Sequence, residues 1–353
     1  MYDGLYRLLD EQGVEIAVHA DHPTLNRRVA ELLARGERID LLSTHSKYAP
    51  SQAAWLRPLD GVVATESLAP LAPKALDLCR FRGALLCVPR NIDVRVLWAN
   101  RSLLGARPVP QSWEQLAASG LAFGFPGRES GLFGTFFEIV TVLGGRLFDD
   151  ALRPTLESEA ARQAVELLVR LAKNAPADLC DWHYDQVDEA LGAGRVALAA
   201  AWPGGTRALL ASKAGGELEP HPYLSGPLGL RSYAGCHAWA IPSSGDLDGA
   251  LRLLERLGSA EAHALEAESG AVCARADVFG ALRGADVRDT RRLEITRDTV
   301  ARGMITYPPL ARFPEIEDAG WGALQRALCG EIDARAALAE MQGAAVRVLG
   351  GRP

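Results

Sequence analysis

The sequence has no Cys-x-x-Cys pair, no excess of positive charge and no long apolar run. Six cysteines stand apart at 79, 87, 180, 236, 273 and 329, which excludes a zinc ribbon or a thioredoxin-type motif and leaves free buried thiols as the expectation. Lys and Arg number 38 against 44 Asp and Glu, a net charge of −6. With no basic stripe, binding of nucleic acid by phosphate neutralisation is excluded. Apolar stretches such as Val196 to Pro203 fall far short of the ~18 residues a membrane span needs. The start, MYDGLYRLLDEQG, has neither the basic segment nor the apolar centre of a secretory signal.

Catalytic signatures are missing too. There is no GxSxG elbow, no P-loop, no HExxH and no dinucleotide fingerprint. His19-Ala20-Asp21-His22 and Cys180-Asp181-Trp182-His183 carry metal donors, but without further ligands at a recognisable spacing, so neither metal nor cofactor is expected. The sequence offers a binding site more readily than an active site.

What is present is a 353-residue chain, 48% hydrophobic and 23% charged, long enough for two domains at about 150 residues each. Helix and strand patterns alternate. Helices are expected over 2–11, from Thr24 to Gly36, after the Ser112-Trp113-Glu114-Gln115 capping box, over 159–172 and over 188–194. Strands are expected at 14–19, 39–42, 84–88, 94–98, 121–125, 196–200 and 236–241. The stretch 217–231 reads as irregular, and the chain after 290 as mostly helical. This order predicts an α/β protein built on doubly wound, mostly parallel sheets flanked by helices.

In such sheets ligands bind beyond the carboxyl ends of strands. That rule selects His45, Ser46, Lys47 and Tyr48; Arg90; Arg128, Glu129 and Ser130, which lead into a helix N-terminus; Trp202 and Gly204; and Gly235, His237 and Trp239. Trp202 and Trp239 read equally as core aromatics, and Lys47 and Arg128 as solvated loop charges.

Several fragments resemble, in order, the ABC-transporter extracellular solute-binding proteins of the maltose-binding-protein-like group, with the type II periplasmic binding fold. They are Trp55-Leu56-Arg57-Pro58-Leu59-Asp60, Gly83 to Pro89 with Leu97-Trp98-Ala99-Asn100, Pro110 to Leu116, Ala190 to Leu198, and Gly235 to Pro242. The resemblance implies two lobes with a ligand cleft between them. Lobe 1 would hold 1–90 plus 242–295, lobe 2 would hold 91–241 plus 296–353, and hinges would fall near 89–93 and 238–243. It also implies a monomeric, non-enzymatic, extracytoplasmic carrier that delivers a small solute to permease subunits. A sugar or polyol is favoured, with a carboxylate or phosphorylated solute as the rival because His45, Lys47, Arg90 and Arg128 are basic. A bilobed transferase using Cys236 and a regulator's sensor domain are lesser alternatives. The family opens with a central strand before its first helix, whereas this chain opens on the helix. The resemblance therefore implies a start lying upstream of Met1, with the missing strand and signal.

Overall fold

In the computed structural model, residues 3–20 and 22–350 are described; Asp21 of the His19–His22 stretch and the Tyr2 end of the first expected helix lie outside them. Two compact units emerge. Unit 1 comprises the chain up to Asp93, Gly235–Leu282 and Pro309–Ala311; unit 2 comprises Val94–Ala234, Arg283–Pro308 and the chain from Arg312. Residues 235–241 were expected with the second lobe. They lie in unit 1 because the strand His237–Ala240 pairs with Leu42–His45 on one side and Val88–Pro89 on the other. Residues 283–295, expected with the first lobe, start the helix Val287–Arg302, which packs on unit 2 strands.

In unit 1 the helix Asp3–Glu11 buries Leu5, Leu8 and Leu9 along one face, as its 3.6-residue spacing dictates, and it lies against the helix Ala260–Ala267. The expected strand at 14–19 does not form. Those residues have no regular structure; Val14 and Val18 are half-buried and the rest exposed, Ile16 being 48% exposed. A strand requires a neighbour for its backbone groups, and the strand Leu42–His45 takes its partner from 237–240 instead. That strand also begins at Leu42, where the expected one ends, so Ser43, Thr44 and His45 are strand residues rather than loop.

Unit 2 is built on a four-stranded sheet in the order Phe123–Gly124, Leu198–Ala201, Val96–Asn100, Leu218–His221. The last of these corrects the expectation that 217–231 is irregular. Helix Glu159–Ala172 has the expected bounds, with Ser158 Oγ accepting from Ala161 N. Ser112 caps the helix Trp113–Ser119, and Gln115 Oε1 reaches back to the N–H of Gln111, one residue before the cap. An aromatic cluster of the buried Phe133, Phe137, Tyr233 and Phe313 and the half-buried Tyr307 fills the unit beneath the helix Glu129–Val142.

Strand direction departs from expectation. In the two main sheets only 123–124 and 198–201 run parallel; the other pairings are antiparallel. The strands 96–100 and 237–240, which follow the passages of the chain at 93–94 and 234–235, lie in the middle of their sheets and run against both neighbours. Free thiols were expected throughout, yet Cys180 and Cys329 form a disulfide within unit 2, while Cys79, Cys87, Cys236 and Cys273 are free and buried. A pair 149 residues apart carries no local sequence signal.

Candidate functional site

The residues selected from the sequence form one group in each unit. In unit 1 the antiparallel register sets His45 opposite His237, with ring centroids 5.3 Å apart and nearly perpendicular. His45 Nδ1 accepts from Lys47 N at 3.1 Å, which fixes the ring's orientation. Ser46 is bound on both sides to Cys236, its N–H donating to the carbonyl at 2.8 Å and its Oγ accepting from the N–H at 3.2 Å. Gly235 is buried directly under the His45 ring; a Cβ there would overlap the imidazole. Lys47 Nζ stands 4.8 Å from the centre of the Tyr48 ring.

Asp93, the last residue of the expected hinge at 89–93, joins this group although it was not among the candidate ligand residues. Its Oδ2 is 3.6 Å from His237 Nε2, and its N–H donates to the Gly235 carbonyl at 3.0 Å. Burial pushes its carboxyl up to about 7; the nearby Arg90 charge opposes the shift and Glu266 reinforces it. His237 N donates to Asn91 Oδ1 at 2.9 Å, which completes a polar cluster of His45, His237, Asp93 and Asn91.

Three unit 1 candidates face inward. Arg90 is 5% exposed, ion-paired with Glu266, and lies over the Trp239 ring at 5.2 Å. Trp239 and Tyr48 are 5% and 8% exposed. Arg90 and Trp239 thus serve each other in the core, where a buried guanidinium requires a carboxylate partner, and Tyr48 starts the helix Ala49–Gln52.

In unit 2 the strand Leu198–Ala201 ends at Trp202, and the turn Pro203–Gly205 follows. Trp202 is half-buried and held from three sides. Tyr184 meets it edge-on at 5.7 Å, Tyr233 edge-on at 6.2 Å, and the Arg95 guanidinium lies over its ring at 5.1 Å. Arg95 is anchored by Thr135 Oγ1 at 2.8 Å and by the buried Glu138 at 3.2 Å. Glu138 also accepts from Tyr223 Oη and Tyr233 N, both at 2.8 Å. The indole therefore has a rigid backing and a partly open side. Arg95 and Tyr184 were not legible as site residues, because each reaches Trp202 from a distant part of the chain.

Arg128, Glu129 and Ser130 open the helix Glu129–Val142, all half-buried. Glu129 has φ of 55°, a left-handed conformation that a residue with a side chain adopts only when its surroundings hold it. The preceding loop is fixed by Gly127 N donating to the Trp182 carbonyl at 2.9 Å. Arg128 Nη1 lies 3.5 Å from Glu129 Oε1, and Glu129 Oε2 lies 4.0 Å from His183 Nε2. Gly204 is half-buried in its turn.

The two groups offer aromatic surface, imidazoles, hydroxyl and carboxylate groups, which suits hydrogen bonding and ring stacking. Among the described residues no set of three or more His, Cys, Asp and Glu could hold a metal ion. No helix of the described residues is long and apolar enough to cross a membrane.

No protein-family model and no curated protein sequence matches this chain. Solved structures do. Maltose-bound MalE3 of T. maritima superposes with a TM-score of 0.86 at 20% identity, covering 97% of this chain and 95% of that one. An ABC-transporter solute-binding protein from Agrobacterium radiobacter K84 in complex with ribitol gives 0.84 at 19% identity, covering 97% and 93%. Another, from Thermotoga lettingae TMO with α-D-tagatose bound, gives 0.85 at 20% identity, covering 98% and 95%. The chain therefore has the two-lobed α/β fold of the maltose-binding-protein-like solute-binding proteins.

Proposed function

We propose that this chain is the solute-binding component of an ABC import system, taking a small neutral polyhydroxylated ligand, a sugar or polyol, and delivering it to membrane permease subunits. The observation that carries the reading is Trp202, a half-buried indole backed by Arg95 and braced by two tyrosines at the end of a sheet strand. A braced aromatic plane beside hydrogen-bonding side chains is the surface that a sugar ring's apolar face and hydroxyl edge require. The similar structures, named as complexes with maltose, ribitol and α-D-tagatose, support the same class.

The candidate ligand contacts are His45, Ser46, Lys47, Gly235 and His237 in unit 1 and Arg128, Glu129, Ser130, Trp202 and Gly204 in unit 2. The passages at 93–94 and 234–235 would serve as hinges. The carrier acts as a monomer outside the cytoplasmic membrane, without a catalytic step or a cofactor.

The cations support a neutral ligand over an anion. Arg90 is neutralised by Glu266, and Arg128 has Glu129 beside it. One observation favours the rival: Arg128 Nε is buried without an acceptor, at a helix start where an anion is welcome. A thermal-shift screen separates the two. A ligand at 100 times its Kd stabilises the native state by about 2.7 kcal/mol. Shifts with maltose, ribitol or D-tagatose but not with carboxylates or sugar phosphates support the neutral class; the reverse pattern assigns the anion.

A further inference from the structure

We propose that Asp188 is a ligand-binding carboxylate of unit 2, accepting hydrogen bonds from hydroxyls of the solute held against Trp202; this rests on the solute-binding reading above. Asp188 lies in the helix Tyr184–Gly192, four residues after Tyr184 and thus on the same face one turn along. Tyr184 braces Trp202 edge-on, and Asp188 reaches the turn that follows Trp202. A Cβ on Gly205 would lie 2.7 Å from Asp188 Oδ2, so a glycine at 205 is what lets the carboxylate lie against the backbone of this turn. The indole, Tyr184 and Asp188 are therefore assembled by one helix face and one turn.

No donor among the described residues reaches this carboxylate. It is half-buried, and only desolvation and the neighbouring Asp185 charge act on it, with no hydrogen bond or cation. Next to Gly205, the Thr206 hydroxyl is 3% exposed in its residue and has no partner either. A buried polar group without a partner costs stability, and a desolvated carboxylate costs more than a hydroxyl. The Asp188 oxygens are not fully enclosed and have no donor from the protein, so they stay open to solvent and to a ligand's hydroxyls. An unfilled acceptor beside an aromatic plane is what a hydroxyl-bearing ligand would complete.

The charged surroundings are sparse. Burial, reinforced by Asp185 on the same helix, pushes the Asp188 carboxyl up to about 7. The strands packed on this helix, Phe123–Gly124 and Leu198–Ala201, carry no titratable group. The helix Thr206–Ala211 contributes only the exposed Arg207. Because the folded value lies above the ordinary 3.8, stability associated with this group is lost as pH rises from about 4 to about 7.

The test compares full-length wild type with Asp188→Asn by calorimetric titration of maltose, ribitol and D-tagatose, and by ligand-free melting, at pH 5, 6 and 8. The proposal expects at least tenfold weaker binding of the active solute by D188N at pH 8. It also expects a wild-type affinity that falls between pH 8 and pH 6 more steeply than the variant's. Every other titratable group is common to both proteins, so the difference isolates Asp188. Ligand-free D188N should melt above wild type at pH 8 and converge with it at pH 5. Equal affinity in the two proteins, or a lower melting temperature for D188N at pH 8, overturns the assignment while leaving solute binding intact. If none of the three solutes binds wild type, the neutral-solute reading fails and the assignment of Asp188 falls with it.

Discussion

The imidazole of His45 occupies the space in which a side chain at position 235 would begin. Residue 235 is the first of unit 1 after the chain leaves unit 2, and its carbonyl accepts from Asp93 N, the last residue of unit 1 before the earlier passage. The pairing of the two passages and the orientation of His45 therefore depend on one missing methyl group. Gly235→Ala should displace the His45 ring, break its contact with His237 and weaken solute binding. In a His45→Ala background the same change should be nearly silent. A double-mutant cycle on melting temperature or affinity measures this, with an expected coupling of about 1 kcal/mol. A coupling of zero would show that the ring does not rest on Gly235.

Arg90 was expected to contact ligand, but its partner is Glu266, and both side chains are less than a tenth exposed. Removing one member of a buried pair leaves the other charge uncompensated, at a cost of about 3–5 kcal/mol. Glu266→Gln should lower stability by that order in urea unfolding. Replacing both by apolar residues of similar volume should cost much less. A mild effect of E266Q, coupled with lost solute binding, would return Arg90 to the ligand site.

The Cys180–Cys329 bond ties the loop before the helix Tyr184–Gly192 to the end of the helix Phe313–Leu328 within unit 2. Its long loop predicts about 2–5 kcal/mol of stabilisation through the unfolded chain. Melting curves with and without reductant should differ in wild type and coincide in a Cys180→Ser, Cys329→Ser protein. A wild-type melt that reductant leaves unchanged, or a double variant that still responds to it, would contradict the assignment.

How far the chain could be read before its structure was known follows from the range of the forces involved. Helix 159–172 was legible because its cap at Ser158 and its apolar stripe are local. Trp202 was legible as a strand-end aromatic, whereas its brace was not: Arg95 and Tyr184 approach it from segments with no sequence signal of proximity. The segment 14–19 carries a strand's alternation, yet pairing is decided elsewhere, and the strand at 42–45 pairs with 237–240. Trp239 and Trp202 both looked like ligand aromatics or core; Trp239 is buried and Trp202 half-buried, a difference that spacing alone could not show. Asp188 was hidden for a similar reason, as one acid among 44 whose lack of a partner appears only in three dimensions.

Binding of a neutral polyhydroxylated solute against Trp202 is open to calorimetric titration of maltose, ribitol and D-tagatose into wild type and Trp202→Ala. At least one of them should bind saturably at one site per chain. Affinity should fall at least tenfold in W202A, which should melt within a few degrees of wild type. Saturable binding that is unchanged in W202A, or no binding of any neutral solute beside tight binding of a carboxylate or sugar phosphate, would contradict it.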